Sequence, residues 1–468
     1  MMMDENKIAA LGAARLACAD SPVRAKLAML FDQSTFVETG AFVKRNRFAG
    51  SSSYGKEELE GVITGYGSVD GMLVYAFAQD SSRLHGAIDE NHAKKIEALY
   101  HLALSNGAPV VGIFDCAGAS LYEGVSSLGA YGRMLSAFSE ASGAIPQIAL
   151  VSGACTGTMA AAVAMFDFVV KTEDASLYVT APVLGGLADA QKDLVSYEGK
   201  DAEAVGYVRA LLAHLPAVCD GDYEECATAD DPNRLLPANL SQLSARDLLA
   251  TVCDAGSMLE VGQKEGALVT ALATLGGVRA ALVATDASVD EGRLTKTDVR
   301  KLAKFVAFCD AFDIPVLSFI NSSGLTKDAE SEPLFAAELA RLAQSYTEAS
   351  IPMISVLCGR AIGAAYILMG SKAVGADLVY ALPEAEIGTM EASSAVAFAW
   401  NDKVTATTSR EEVEQAWKDG PASPLSAASY GEVDDILDAE ELRARLCSAL
   451  YMMRGEGPES KHRSTPAL

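Results

Sequence analysis

A chain of 468 residues is too long for one ordinary domain, and with 50% of its residues apolar and 21% charged it is a packed globular protein rather than a disordered one. Its formal net charge of −25 argues against nucleic acid or an anionic membrane as the main partner, while leaving room for a polyanionic ligand in a local basic pocket. The nine cysteines are scattered, with no CxxC and no histidines spaced to complete a zinc site, so they read as small buried hydrophobes of a reducing cytoplasm and no metal is expected.

Residues 1–32 place Ile8, Leu11, Leu16, Val23, Leu27 and Leu30 in a helical pattern broken at Ser21-Pro22, and no basic segment followed by an apolar core opens the chain, so secretion is not expected. Beyond Phe42, the cations Lys44, Arg45, Arg47 and Lys56 flank a serine run, a pattern that favours a solvated loop over a phosphate contact. Residues 60–78 alternate, with turns at Gly65-Tyr66-Gly67 and Asp70-Gly71, which predicts a hairpin. Asp89 is placed to cap a helix carrying His92, Lys94 and Lys95, where His92 reads as a structural histidine in preference to a base.

A short apolar run over 107–114 predicts a strand buried in a parallel sheet and ends in Asp115-Cys116-Ala117-Gly118. A second, over 148–151, ends in SGACTGT before an alanine-rich helix. Small residues at a strand's carboxyl end let backbone N–H groups approach a ligand, and a helix amino terminus presents unpaired donors to an anion. The uncharged segment 141–166 mimics a membrane span with Gly153 and Gly157 in a GxxxG, but Pro146 and Gly153 break it, and a buried strand and helix is the preferred reading.

The chain then repeats itself at an offset of 206 residues. Gly71, Asp80, Pro109, Gly153 and Gly157 recur as Gly277, Asp286, Pro315, Gly359 and Gly363, and Asp115-Cys116-Ala117-Gly118 as Asn321-Ser322-Ser323-Gly324. The apolar face of Ile96, Leu99 and Leu102 recurs as Leu302, Phe305 and Phe308. Each copy therefore reads strand, helix, strand, loop, helix, strand, helix: an α/β chain of two duplicated domains. Asp231-Pro232 and Pro237 mark a linker, which gives domains 1–232 and 233–468. Residues 410–417 and 435–450 predict acidic helices with solvated faces, and 455–468 a polar tail.

No P-loop, GxSxG elbow, HExxH motif or nucleophile with a paired base is present. What recurs is a pair of small-residue loops offering backbone donors, which suits holding an enolate or another oxyanion, and two such sites suit two carbonyl-bearing reactants.

On EGVITGYGSVDG at Glu60, VYAFAQD at Val74, HAKKIEAL at His92, EGVSSLGAYG at Glu123, ASGAIPQIALVSGACTG at Ala141 and CDAFDIPVL at Cys309, the chain resembles the carboxyltransferase component of biotin-dependent acyl-CoA carboxylases and decarboxylases. That family includes propionyl-CoA carboxylase beta and methylmalonyl-CoA decarboxylase alpha subunits, and the resemblance covers nearly the whole chain. It implies two crotonase-like β-β-α superhelix domains of the ClpP/crotonase kind, the first on the acyl-CoA side and the second on the biotin side. It implies transfer of a carboxyl group between biotin and a short-chain acyl-CoA through enolates held by backbone oxyanion holes, with no metal and no side-chain base. By resemblance, Ala117 and Gly118 hold the thioester oxygen and the Ala364 and Ala365 amides hold the biotin ureido oxygen. Gly157, Thr158 and Gly363 join the substrate site, and Ile367 falls where acyl selectivity is tuned.

The chain has no biotinylation site of the AMKM kind and no ATP-binding loop, so the biotin sits on a separate carrier protein. The implied partners are that biotin carboxyl carrier protein, a biotin carboxylase or membrane decarboxylase subunits, and a homohexamer that is a trimer of dimers, in the cytoplasm or peripheral to a membrane decarboxylase complex. Three motifs depart from the family. SGGAR becomes Cys116-Ala117-Gly118-Ala119-Ser120, PGF becomes Ser323-Gly324-Leu325, and FTVxGGSLGE becomes the stretch from Ser81 to Glu90. A donor at Ala117 requires a negative φ there. The alternatives are a non-catalytic or regulatory paralogue assembling with an active homologue, and a biotin-free crotonase-type enzyme using Glu123 or Glu140 as acid or base.

Overall fold

A computed structural model describes residues 5–45, 59–186, 191–216, 226, 228–262, 266–327, 329 and 332–453. The chain divides into two compact units between Cys219 and Asp220. Asp231, in the segment expected as a linker, lies in the second unit, where its carbonyl accepts from Arg443 Nε at 3.1 Å. Arg47 and Lys56 of the cation-rich segment lie outside the described residues.

In the first unit, α1 (Glu5–Ala19) and α2 (Arg24–Leu30) are separated at Ser21-Pro22 as the sequence predicts. There follow β1 (Val37–Thr39), β2 (Val62–Val69), β3 (Met72–Gln79), α3 (Glu90–Asn106), β4 (Val110–Cys116), α4 (Val125–Ala141), β5 (Gln147–Thr156), α5 (Thr158–Ala164), β6 (Phe168–Thr172), β7 (Ser176–Tyr178), β8 (Tyr197–Gly199) and α6 (Asp201–His214). Their sheet runs β1-β2-β3-β4-β5-β6-β8, antiparallel across the first three strands and parallel thereafter, with β7 pairing β5. Parallel strands covered by helices carry near-continuous apolar runs, which is why the buried face holds Phe77, Tyr100, Phe114, Phe138 and Phe166 in one ring cluster.

The hairpin turns only at Asp70-Gly71; Gly65 and Gly67 lie inside β2 and make no turn of their own. They are glycines for another reason. A Cβ on Gly65 would stand 2.4 Å from the Val37 carbonyl oxygen, and one on Gly67 would stand 2.7 Å from the Phe31 ring, so small residues here let β1 and the aromatic pair Phe31–Phe36 lie flat on the strand.

The second unit repeats the order with α7 (Ala245–Val252), β9 (Leu259–Glu260), β10 (Leu268–Leu275), β11 (Val278–Thr285), α8 (Lys296–Ala311), β12 (Val316–Ser322), α9 (Phe335–Glu348), β13 (Met353–Ile362), α10 (Gly363–Leu368), β14 (Leu378–Ala381), β15 (Glu386–Gly388), α11 (Ala392–Ala399), α12 (Arg410–Asp419), α13 (Pro424–Ser429), β16 (Asp435–Ile436) and α14 (Leu442–Met452). Its sheet is ordered β16-β14-β13-β12-β11-β10-β9, with β15 pairing β13. The two units are copies of one crotonase-like fold, and the offset of 206 survives to the level of strand register: Tyr75 pairs with Val110 and Ala281 with Val316.

Residues 435–450 are not one solvated helix. Asp435 and Ile436 pair with Tyr380 and Ala381 as a strand, and α14 buries Leu442, Arg443, Leu446, Ala449 and Leu450. The 410–417 helix does present a solvated face, with Val413 its buried residue. The segment 141–166 forms the end of α4, β5 and α5, and no helix among the described residues is long and apolar enough to cross a membrane.

Candidate functional site

The carboxyl ends of β4 and β5 do not run in simple register. Phe114 pairs with Val151 but Cys116 pairs with Cys155, so Ser152, Gly153 and Ala154 bulge out of the ladder. The Asp115 side chain fills the bulge: its Oδ1 accepts from Ala154 N at 3.1 Å, and its Oδ2 accepts from Ser81 Oγ at 2.5 Å. A Cβ on Gly153 would fall 2.2 Å from the Asp115 carboxylate, so any side chain there forces the carboxylate or the bulge to shift. The second unit builds the same feature with an amide. Asn321 Oδ1 accepts from Arg360 N at 3.0 Å, and a Cβ on Gly359 would fall 2.5 Å from Asn321 Oδ1.

Under each loop lies a turn wound in the left-handed sense. Leu84, His85 and Gly86 have φ of 49°, 55° and 65°, and their counterparts Asp290, Glu291 and Gly292 have 42°, 54° and 73°. Each non-glycine residue so held is strained by about 1–2 kcal/mol, a pattern that concentrates at functional sites. The turns fix the loops above them: Ala117 N donates to His85 O, and Ser323 N to Glu291 O, both at 3.0 Å.

Ala117 is absent from the residues with positive φ, so alanine is accommodated where the family resemblance has glycine, but its amide is committed to His85 O. Gly118, at φ 118°, donates to the sulfur of Cys116 at 3.2 Å, a weak acceptor. Its counterpart Gly324 donates to Ser322 Oγ at 3.1 Å. Gly157 and Gly363, at φ 62° and 58°, turn the chain from strand into α5 and α10. Thr158 and Ala364 therefore stand in the first turns of these helices, as does Ala365, where amides have no intrahelical acceptor. Thr158 is exposed, Ala365 is buried, and Ile367 is 48% exposed on α10. The site residues thus fall in two groups, Ala117, Gly118, Gly157 and Thr158 in the first unit and Gly363, Ala364, Ala365 and Ile367 in the second.

Glu123 Oε2 accepts the Glu90 amide at 2.7 Å, beside the Asp89 cap of α3, and Glu140 is exposed at the far end of α4.

Beneath the first loop sits a buried charged cluster. The Arg45 side chain is 6% exposed, so it is not part of a solvated loop; it lies 3.6 Å from Glu60 Oε1 and 4.0 Å from Asp89 Oδ2. His92 is fully buried, with Nδ1 3.4 Å from Glu60 Oε1 and Nε2 3.3 Å from Gln79 Nε2. Burial works to raise the Glu60 carboxyl, but the imidazole of His92 and the Arg45 charge outweigh it and bring it down to about 2, while burial and then the Glu60 charge push Asp89 up to about 7. Burial also lowers the Lys95 amine to about 8.

Because the folded Asp89 holds its proton to a higher pH than an unfolded aspartate, this group makes stability fall as pH rises from about 4 to about 7. Asp89→Asn keeps the acceptor for Asn91 N and His92 N and removes the titration. The variant is expected to melt above the parent at pH 8, with the gap closing below pH 4 in thermal scans; a variant that melts lower at pH 8 contradicts the assignment.

The model of the carboxyl transferase domain matches residues 21–188 and 195–464. The chain belongs to the carboxyl transferase family. This carboxyl transferase chain is 34% identical over 478 residues to a putative propionyl-CoA carboxylase beta chain of Bacillus subtilis, covering 95% of this chain and 93% of the relative. It is 32% identical to the methylmalonyl-CoA decarboxylase subunit alpha of Veillonella parvula, covering 95% and 92%. Its fold matches the transcarboxylase 12S crystal structure, a hexamer with methylmalonyl-coenzyme A and methylmalonic acid bound, at TM-score 0.91 and 28% identity over the full length of both chains.

Sequence reasoning missed the side chains that shape the carboxyl transferase loops. Asp115 and Asn321 recur at the repeat offset together with Gly153 and Gly359, and a polar residue paired twice with a distant glycine is the signal of a side chain packed against a backbone. The link from Gln79 to His92 had no such signal, because the second unit has Thr285 and Asp298 at those places.

Proposed function

We propose that this chain moves a carboxyl group between biotin on a separate carrier chain and a short-chain acyl-CoA. The observation that carries the reading is the duplicated cradle: two strand-end loops, each with a glycine amide held by the side chain two residues before it and a glycine-led helix start, and, among the described residues, no paired nucleophile and base beside them. Biotin, when bound, supplies the carboxyl group and the base for the α-proton. The residues fit that division, because the first turn of α10 offers the Ala364 and Ala365 amides to a ureido oxygen.

Gly118 N–H exchanges the Cys116 sulfur for the thioester oxygen and stabilises the enolate oxygen that develops there. Ala117 holds the loop through His85 O, so its share is orientation. Gly157 and Thr158 shape the acyl-CoA side of that cradle, Gly363 opens the turn on the biotin side, and Ile367 offers an apolar wall to a short acyl chain. A hexamer like that of transcarboxylase 12S is the assembly we infer. Leu121, Val125, Leu128, Val183 and Leu184 of the first unit and Leu334, Phe398 and Tyr430 of the second are exposed in the single chain, and apolar surface of that extent suits burial in an oligomer.

The enolate reading also separates this chain from a biotin-free crotonase-type enzyme. With propionyl-CoA in deuterium oxide and no biotin present, no α-hydrogen exchange is expected; exchange that persists without biotin, and falls in Glu123→Gln, would transfer the base role to that carboxylate.

A further inference from the structure

We propose that Gln79 and His92 are positioning residues for the first loop, forming a hydrogen-bonded line to the Asp115 amide, backed by the buried Glu60 carboxylate, that sets where the Gly118 N–H points. The line holds two hydrogen bonds, and the Glu60 carboxylate stands behind them in ion-pair range of the imidazole. Glu60 Oε1 faces His92 Nδ1 at 3.4 Å, His92 Nε2 faces Gln79 Nε2 at 3.3 Å, and Gln79 Oε1 accepts from Asp115 N at 3.2 Å. Gln79, His92 and Glu60 are each at most 2% exposed, so water does not substitute for any member.

The network assigns the roles. Asp115 N can only donate, so Gln79 turns its carbonyl to Asp115 and its NH2 to His92; His92 Nε2 must then accept, which leaves the proton on Nδ1 toward Glu60. Neutral His92 thus locks the Gln79 amide in the orientation that holds the loop. From Asp115 the constraint passes to both strand ends, because its carboxylate fills the Gly153 bulge and its neighbour Cys116 holds Gly118 N–H.

A proton on Nε2 makes both imidazole nitrogens donors. The Gln79 amide then turns its oxygen to His92 and presents NH2 to the Asp115 N–H, and the loop loses its acceptor. The charged groups around His92 are Glu60 from the segment entering β2, Arg45 from the segment after β1, and Asp89 and Lys95 at the start of α3. Burial, Arg45 and Lys95 oppose protonation of His92, and Glu60 favours it.

The second unit supplies an internal control. Thr285 stands at the place of Gln79, and its Oγ1 accepts Asn321 N directly at 2.7 Å. At the places of Glu60 and His92 stand Gly266 and Asp298, and the Asp298 carboxylate is engaged with Thr295 N at 2.9 Å. The second loop is therefore held with no imidazole in the line.

The test compares the parent, Gln79→Thr and Gln79→Leu between pH 5.5 and 8. Two readouts are taken: carboxyl transfer from methylmalonyl-CoA to biotin, which rests on the proposed function, and amide hydrogen exchange of peptides covering 110–120, which does not. The parent should lose transfer and amide protection together on the acid side of the ordinary histidine range, because burial, Arg45 and Lys95 hold the His92 imidazole below it. Gln79→Thr, which imitates Thr285, should keep both to lower pH. Gln79→Leu, which leaves Asp115 N without an acceptor, should lower kcat/KM about tenfold at every pH and lose protection throughout. An acid limb in Gln79→Thr equal to the parent's in both readouts overturns the proposal, as does parent-like protection in Gln79→Leu. Absent transfer with the expected exchange pattern overturns the functional reading and leaves the positioning line standing.

Discussion

Gly153→Ala should lower carboxyl transfer about a hundredfold, because displacement of a reacting group by about 1 Å from its productive position carries a penalty of that order. The new methyl would sit 2.2 Å from the Asp115 carboxylate, which is itself pinned by Ala154 N and Ser81 Oγ, so the bulge or the carboxylate must move. Either movement carries Cys116, Ala117 and Gly118 with it, since they follow Asp115 directly in the chain. Overpacking of this kind also destabilises by about 1–3 kcal/mol, which thermal or denaturant unfolding reads. The clash is between two named residues, so a double-mutant cycle isolates it. In an Asp115→Ala background, Gly153→Ala should add little further instability, giving a coupling well above the few tenths of a kcal/mol seen for independent sites. A stable and fully active Gly153→Ala enzyme would contradict the account of the bulge.

Arg443→Ala should destabilise the second unit by about 3–5 kcal/mol, the range for removing one partner of a buried ion pair. Arg443 is fully buried in α14 and donates through Nη2 to Asp254 Oδ1 at 2.6 Å, through Nε to Asp231 O at 3.1 Å, and through Nη1 to Val252 O. Asp254 in turn accepts the Gly276 and Gly277 amides, each at 2.9 Å, in the turn between β10 and β11. One guanidinium therefore ties the last described helix to the start of the unit and to its hairpin. Arg443→Lys should recover only part of the loss, because an ammonium cannot reproduce the planar fork that meets a carboxylate and two carbonyls at once. Calorimetry on the full chain should show a lowered second-unit transition in both variants, with the alanine variant lower; unchanged melting in either would remove Arg443 from this role.

The duplication was legible because backbone demands leave residue signatures at a fixed spacing. Gly157 and Gly363 recur because a positive φ is needed at each strand-to-helix turn, and Gly153 and Gly359 because a side chain lies against each. Asp80 and Asp286 recur because each closes the turn after its strand through Ser82 and Ser288. The hairpin turn was legible at Asp70-Gly71 and misread at Gly65-Tyr66-Gly67, where the glycines answer to packing by residues distant in sequence.

Charge was the less legible property. Arg45 and Arg443 look like surface cations in sequence and are both buried, because what decides their place is a carboxylate partner brought up by the fold, Glu60 and Asp89 for one and Asp254 for the other. The loops themselves were located by their small residues, whereas the direction of the Ala117 amide depends on the His85 carbonyl, a tertiary contact across the left-handed turn.

Carboxyl transfer by this chain is read by incubating the purified protein with carboxyl-labelled methylmalonyl-CoA and free biotin, without ATP. Label should appear on biotin with stoichiometric release of propionyl-CoA, and that transfer should fall markedly in Gly153→Ala. No label on free biotin, and none on a biotinylated carrier domain supplied in its place, would contradict it and favour a non-catalytic member of the carboxyl transferase family.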